Sequence, residues 1–344
     1  MPDNTARAAA GRMELVYETF GASDAPPLLL IAGLAAQLLA WDERFCTQLA
    51  DNGFRVIRFD NRDIGQSTHL HDAGVPDIMG LHRGERCTTP YTLVDMADDT
   101  VGLLDALGLQ SAHVVGMSMG GMIAQQLAIS HPHRTASLTS IMSCPSQSAG
   151  QARAKAQRVL LLPAAADPET AAERALQVYQ MIGSPGYPLD EHRIADIARR
   201  SFIRDNDPGG VARQYAAILA SPDRSAGLST LTVPTLVLHG GDDPVVRVDG
   251  GLATANLIPR SRLVVFPGMG HDLPQELWPQ LVDEIVAHAR SAPHRRRDRQ
   301  PGHPTSLGGS NPSGTASYPR HLSGEGLGNR RYAWHDRERD QRTH

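Results

Sequence analysis

The chain of 344 residues is poor in cysteine, with only Cys46, Cys87 and Cys144, far apart and in no metal-ligand or redox spacing. So odd and sparse a set argues against a disulfide framework, and a cytoplasmic location is expected. No run of about 18 apolar residues occurs, which excludes a membrane-spanning helix. The opening stretch, MPDNTARAAAGRMELVYETF, has no apolar h-region, so a cleaved secretion signal is not expected. An excess of one charge is also missing: 33 Lys and Arg face 37 Asp and Glu, a net charge of −4. That balance argues against a nucleic-acid or polyanion partner. What the chain does have is 41% hydrophobic and 20% charged residues, enough apolar material for a large core. A soluble globular protein is expected.

Composition changes abruptly near Ser291. Of the 52 residues from 293 to 344, 17 are Pro, Gly or Ser, and Leu307, Leu322 and Leu327 are the only Leu, Ile, Val or Phe. Such a segment buries too little apolar surface to offset its ordering entropy, and it is expected to be a disordered tail. Its net charge of +5 leaves −9 on the body.

The body alternates strands with helices. Residues 13–21 (MELVYETFG), 54–59 (FRVIRF), 111–117 (SAHVVGM), 137–142 (SLTSIM), 235–239 (TLVLH) and 263–266 (LVVF) read as strands. Residues 26–34 (PPLLLIAGL) form a short continuous apolar run, as expected of a strand buried on both faces. Helical spacing marks residues 41–52, 91–107, 120–130, 249–257 and 274–292. This rhythm predicts an α/β fold, a mostly parallel sheet with helices on both faces. Residues 145–232 break it with helical patterns alone, at 151–162, 168–182, 190–202 and 210–219. So long a helical stretch between two strands is no ordinary crossover. It is expected to be a helical cap (145–232) over the sheet edge, dividing the core into 1–144 and 233–292, with 293–344 as the tail. A cap of this kind shapes a substrate pocket and excludes water.

Gly116-Met117-Ser118-Met119-Gly120 is a G-x-S-x-G pattern lying directly between an apolar strand and a helix. In that setting small flanking residues let a strained turn lift the serine hydroxyl above the sheet edge, at a helix N-terminus with free N–H groups. A hydroxyl nucleophile needs a base, and the base needs an orienting carboxylate. Downstream, TLVLH runs into Gly240-Gly241-Asp242-Asp243-Pro244, and LVVF into Pro267-Gly268-Met269-Gly270-His271-Asp272. Turns at the carboxyl ends of parallel strands meet at one rim, which makes His271 the candidate base and Asp242 or Asp243 the candidate acid. Other polar residues read as structural. Residues 60–67 (DNRDIGQS) form a hydrogen-bonded loop near the pocket. Asp95, Asp98 and Asp99 lie on a solvated helix face or pack against that loop. His239 caps its strand, Cys144 is a small buried residue, and Asp272, adjacent to His271, is poorly placed to face it.

Across residues 13–292 the chain resembles the α/β-hydrolase superfamily. FDNRDIGQST (59–68), YTLVDMADD (91–99) and FPGMGHDLP (266–274) are similar to segments of bacterial esterases and aclacinomycin methylesterase-like hydrolases. GLAAQLL, DNRD and MSMGGMIAQ resemble LipG-like carboxylesterases. The resemblance implies Ser118 as nucleophile, His271 as base and Asp243, the Asp before Pro in H-G-x-x-D-P, as acid. Pro244 supports that choice by restricting Asp243 to extended geometry. It also implies an oxyanion hole from the N–H groups of Met119 and Leu34, although Ala32 stands where the family commonly has His. The expected activity is cofactor-free and metal-free hydrolysis of a small-molecule carboxylic ester through an acyl-enzyme. Haloalkane dehalogenases and epoxide hydrolases use an Asp nucleophile, which Ser118 argues against. Perhydrolases, thioesterases, lactonases and C–C bond hydrolases share the same triad, and a non-catalytic ligand receptor on this fold is the rival from another class.

Overall fold

The computed structural model describes residues 5–83, 85, 89–292 and 332–334. A hairpin opens the chain, β1 (Ala6–Ala10) and β2 (Met13–Phe20), turning through Gly11 at φ +62°. Then follow β3 (Pro27–Ile31), α1 (Glu43–Asp51), β4 (Arg55–Phe59), the short α2 (Ile78–His82), α3 (Leu93–Ala106), β5 (Ala112–Met117), α4 (Met119–Ser130) and β6 (Thr135–Ile141). Between β6 and the next strand the chain is helical: α5 (Ala154–Gln157), α6 (Pro168–Ile182), α7 (Glu191–Arg204), α8 (Pro208–Ala220) and α9 (Ser225–Ser229). The core resumes with β7 (Thr235–Gly240), α10 (Val248–Leu257), β8 (Arg262–Phe266) and α11 (Trp278–Ser291).

The strands form one sheet in the order β1-β2-β4-β3-β5-β6-β7-β8, closed at its edge by β9 (Tyr332–Trp334). Only the β1–β2 and β2–β4 pairings are antiparallel; every pairing from β4–β3 onward is parallel. Successive residues of β3 go to opposite faces. Leu29 and Ile31 pack with Leu103 of α3 and Ile123 of α4, and Leu28 and Leu30 with Phe45 of α1 and Ile285 of α11. A strand covered on both sides has no polar face to display, which is why β3 is an unbroken apolar run. The α/β expectation therefore holds, with the helices on both faces.

Several boundaries differ from the sequence expectation. β1 has no β-branched residue, and alternation of Ala with Arg7 gives little strand signal, although Ala8 and Ala10 are buried. Residues 151–162 are not one helix: α5 is a single turn that tightens into a 3-10 turn over Arg158–Leu161. The last helix starts at Trp278, after a separate 3-10 turn at Gln275–Leu277. Most of the expected disordered tail, and Cys87, lie outside the described residues; of the tail, Tyr332–Trp334 are described and pair parallel with β8.

Candidate active site

The parallel strands bring three loops to their common carboxyl rim. β5 ends at Met117 and α4 begins at Met119, so Ser118 sits alone between them, at φ 56° and ψ −121°. That left-handed backbone is costly for a residue with a Cβ and is held by its surroundings. Its N–H donates to Ile141 O at 2.9 Å. The flanking glycines are there because nothing larger fits. A Cβ on Gly116 would come within 2.1 Å of Gly120 O, and one on Gly120 within 2.1 Å of Ile31 O.

After β8, residues 267–273 carry His271, which is only 8% exposed. Its Nδ1 is 2.7 Å from Asp243 Oδ2 and its Nε2 is 3.0 Å from Ser118 Oγ. A carboxylate only accepts, so Nδ1 carries the proton and Nε2 is free to accept from the serine hydroxyl. Asp243, not Asp242, makes this contact. The N–H groups of Val245 (2.8 Å) and Val246 (3.0 Å) donate to its other oxygen, which aims the carboxylate across the strand ends. Asp242 instead accepts from Gly268 N–H at 2.9 Å and ties the two loops together.

Fully buried His239 supports the acid loop from beneath. Its Nε2–H donates to Val246 O at 2.7 Å and lies 3.7 Å from Asp243 Oδ2. Burial depresses its pKa, so it stays neutral. Asp272 turns away from the imidazole, as expected, and accepts from Ser184 Oγ; burial raises its pKa. The His271 N–H donates to Ile182 O at 2.8 Å, so the α6–α7 segment braces the histidine loop.

The third loop follows β3. Gly33 passes directly beside the serine: a Cβ there would lie 3.9 Å from Ser118 Oγ. Leu34 follows it, and Ala35 adopts φ +61°. Met119 is the first residue of α4, so its N–H has no acceptor in a preceding turn. Asn61 Nδ2 donates to Ala32 O at 3.1 Å, and Asp60 Oδ1 accepts from Leu38 N–H at 2.7 Å, fixing this loop from the core side. The DNRD segment is thus a hydrogen-bonded scaffold, as its sequence implied. Arg62 of the same segment pairs with buried Asp99, while Asp95 caps α3 in a capping box with Thr92.

The contacts that the helical insertion makes to this rim carry no local signal in the sequence. Arg213 of α8 grips Asp63 with two hydrogen bonds, 2.9 and 2.8 Å, and Arg204 of α7 reaches Asp60 at 3.0 Å. Gln214 and Gln37 bridge the same junction. Among the described residues one group has metal-ligand character, His69, His71 and Asp207. There the Arg213 guanidinium, 3.0 Å from Asp207 Oδ2, already supplies the positive charge. Buried Cys46, its thiol pushed up to about 12, and buried Cys144, also raised, are unreactive.

A sheet of this topology with a serine at the strand-to-helix turn defines a class, and the chain belongs to it. The family model described as alpha/beta hydrolase fold matches residues 26–275. More particularly, the chain is similar to rhodomycin D methylesterase DnrP of Streptomyces peucetius, 30% identical over 77% of this chain and 91% of the relative. It is also similar to 3-oxoadipate enol-lactonase 2 of Acinetobacter baylyi, 29% identical over 73% and 84%. Among solved structures, a hydrolase from Pseudomonas aeruginosa superposes with a TM-score of 0.63 at 26% identity, covering 85% of this chain and all of the other. No helix among the described residues is long and apolar enough to cross a membrane.

Proposed function

We propose that the protein is a serine hydrolase of small-molecule carboxylic esters, with Ser118 as nucleophile, His271 as general base and acid, and Asp243 as the orienting carboxylate. The observation that carries this reading is the hydrogen-bonded chain Asp243–His271–Ser118, 2.7 and 3.0 Å, on a strained strand-to-helix turn. His271 Nε2 takes the Ser118 proton as Oγ attacks the acyl carbon. The tetrahedral oxyanion is held by the N–H groups of Met119 and Leu34. Protonated Nε2 then delivers its proton to the leaving alcohol, and water repeats the cycle to release the acid. The methylesterase and lactonase relatives support ester chemistry, since a lactone is a cyclic ester. The chain's own residues suffice for every step, so no cofactor is assigned. Over this rim the helices of residues 145–232 act as the cap.

The test is labelling by a fluorophosphonate probe, with turnover on a panel of p-nitrophenyl esters of increasing acyl length. Wild type should be labelled at Ser118 and hydrolyse at least the short esters. An unlabelled serine with no ester turnover would leave the protein as a ligand-binding relative.

A further inference from the structure

Gln214 lies in the middle of α8, within the helical insertion, and is fully buried. Its two amide ends go to two different loops of the core. The carbonyl oxygen accepts from Ala35 N–H at 3.2 Å, and the amide nitrogen donates to Arg62 O at 2.8 Å. Ala35 is a non-glycine residue at φ +61°, a conformation that persists only when neighbours enforce it. Ala35 N–H lies in the peptide plane that follows Leu34, so only the φ and ψ of Leu34 stand between that anchored plane and the Leu34 N–H. From the insertion side Gln37 is held as well, donating to Ser201 O at 2.8 Å and Asp205 O at 3.2 Å.

We propose that Gln214 is a positioning residue for the oxyanion hole: by holding Ala35 N–H it aims the Leu34 N–H at the serine, so that α8 of the insertion sets transition-state stabilisation as well as covering the site. The inference rests on the ester-hydrolase reading above, with Leu34 as an oxyanion donor. It assigns the insertion a part in the chemistry that a simple lid would not have. A lid shapes what binds, and its damage appears in KM. A residue that orients an oxyanion donor acts on charge present only in the transition state, and its damage appears in kcat.

The test replaces Gln214 with Met, which fills the same space without polar ends, and with Asn, which keeps the amide but withdraws it by one methylene. Kinetics on a short p-nitrophenyl ester, inhibition by a trifluoromethyl ketone that forms an oxyanion adduct on a serine, and thermal melting are measured for both. Removing one oxyanion donor outright costs about 100- to 1000-fold in turnover, and a misaimed donor less. In Gln214→Met, kcat should fall about 10- to 100-fold with KM changed less than about twofold. Ketone affinity should fall by the same factor as kcat/KM, and Gln214→Asn should lie between Met and wild type. Unchanged kcat in either folded variant, or a raised KM with kcat and ketone affinity intact, overturns the proposal. Failure of both variants to fold overturns it too, in favour of a purely architectural glutamine. If wild type itself neither turns over esters nor binds the ketone, the hydrolase reading has failed, and this proposal falls with it. An active wild type beside kinetically silent variants defeats the proposal alone.

Discussion

The sheet domain and the helical insertion are held by different balances of apolar burial and directional contact. In α4 nine of twelve residues are buried, nearly all apolar or glycine, and they lock into the sheet as one continuous core. In α6 only Ala172 of fifteen residues is buried, and in α7 only Ile194 and Ala195. The insertion joins the core through a smaller apolar seam, Ala217 of α8 and Leu228 of α9, and adds directional contacts: Arg213 to Asp63, Arg204 to Asp60, Gln214 to Ala35 and Arg62. Apolar burial is strong but non-directional, whereas buried ion pairs contribute little net stability and define a single seating. A core built on apolar burial thus carries the proposed nucleophile, and the insertion is fixed on it by added charged and amide contacts.

The largest effects should come from the core rim. Ser118→Ala should abolish ester turnover while leaving the melting temperature near that of wild type, because the serine hydroxyl holds no part of the core. Retention of a tenth of the activity would disprove the nucleophile. Asp243→Asn should reduce turnover by orders of magnitude, up to about 10⁴-fold, by removing the carboxylate that fixes the His271 tautomer. Asp242→Asn should be mild, since Asp242 only ties residue 268 to the acid loop. The reverse ranking would shift the acid by one residue.

Next in size is the seat of the insertion. Arg213→Met leaves Asp63, fully buried, without its guanidinium, a change worth about 3–5 kcal/mol. Hydrogen exchange should show α8 opening before β5 or β7, and pairing the change with Asp63→Asn, which removes the stranded charge, tolerates φ +63° and keeps an acceptor for Leu70 N–H, should restore part of the stability. Uniform opening of sheet and insertion together would mean that the two regions are one cooperative unit.

Titration of the core gives a comparable but pH-gated loss. His288 is buried on α11, its Nε2–H directed at Leu138 O (3.1 Å) and Pro234 O (3.3 Å), and burial depresses its pKa to about 4. The unfolded chain, with an ordinary imidazole near 6.5, then takes up a proton that the native state refuses. Stability from this group is complete above about pH 6.5 and declines as pH falls toward 4, by about 3 kcal/mol in all. In His288→Gln, which keeps a donor and does not titrate, the urea midpoint should fall less between pH 7 and pH 5 than in wild type. Equal slopes would assign the acid sensitivity to other groups.

The same division governs what could be read in the sequence. The unbroken run of β3, the glycine-flanked Ser118 and the Asp243-Pro244 step are local signals, produced by burial on both faces, close backbone approach and restricted ψ. They located the rim without coordinates. β1 was not legible because an edge strand of alanines depends on its hairpin partner rather than on propensity. Nor was the link between Ala35 and Gln214, which are 179 residues apart: an amide inside a helix looks like any solvated side chain until the opposing loop is in place. Ser184, which meets Asp272 beside the histidine, was hidden for the same reason.

The smallest effect should come from an ion pair of the same chemistry in a different place. Arg199 of α7 and Glu169 of α6 approach to 2.7 Å, with two further contacts of 2.9 and 3.0 Å, a geometry as good as that of Arg213 and Asp63. Each partner lowers the other's tendency to lose its charge: the Glu169 pKa is depressed by the guanidinium, and that of Arg199 is raised by the carboxylate. Both side chains are open to water, 41% and 69% exposed, against 2% and 0% for the buried pair. Water and salt satisfy either charge once its partner is gone, so nothing is stranded. Arg199→Gln should therefore shift the melting temperature by no more than about 1 °C, and by less as ionic strength rises. If it destabilised the protein as much as Arg213→Met, burial would not be what separates the two pairs, and the contrast between sheet domain and insertion would need another cause.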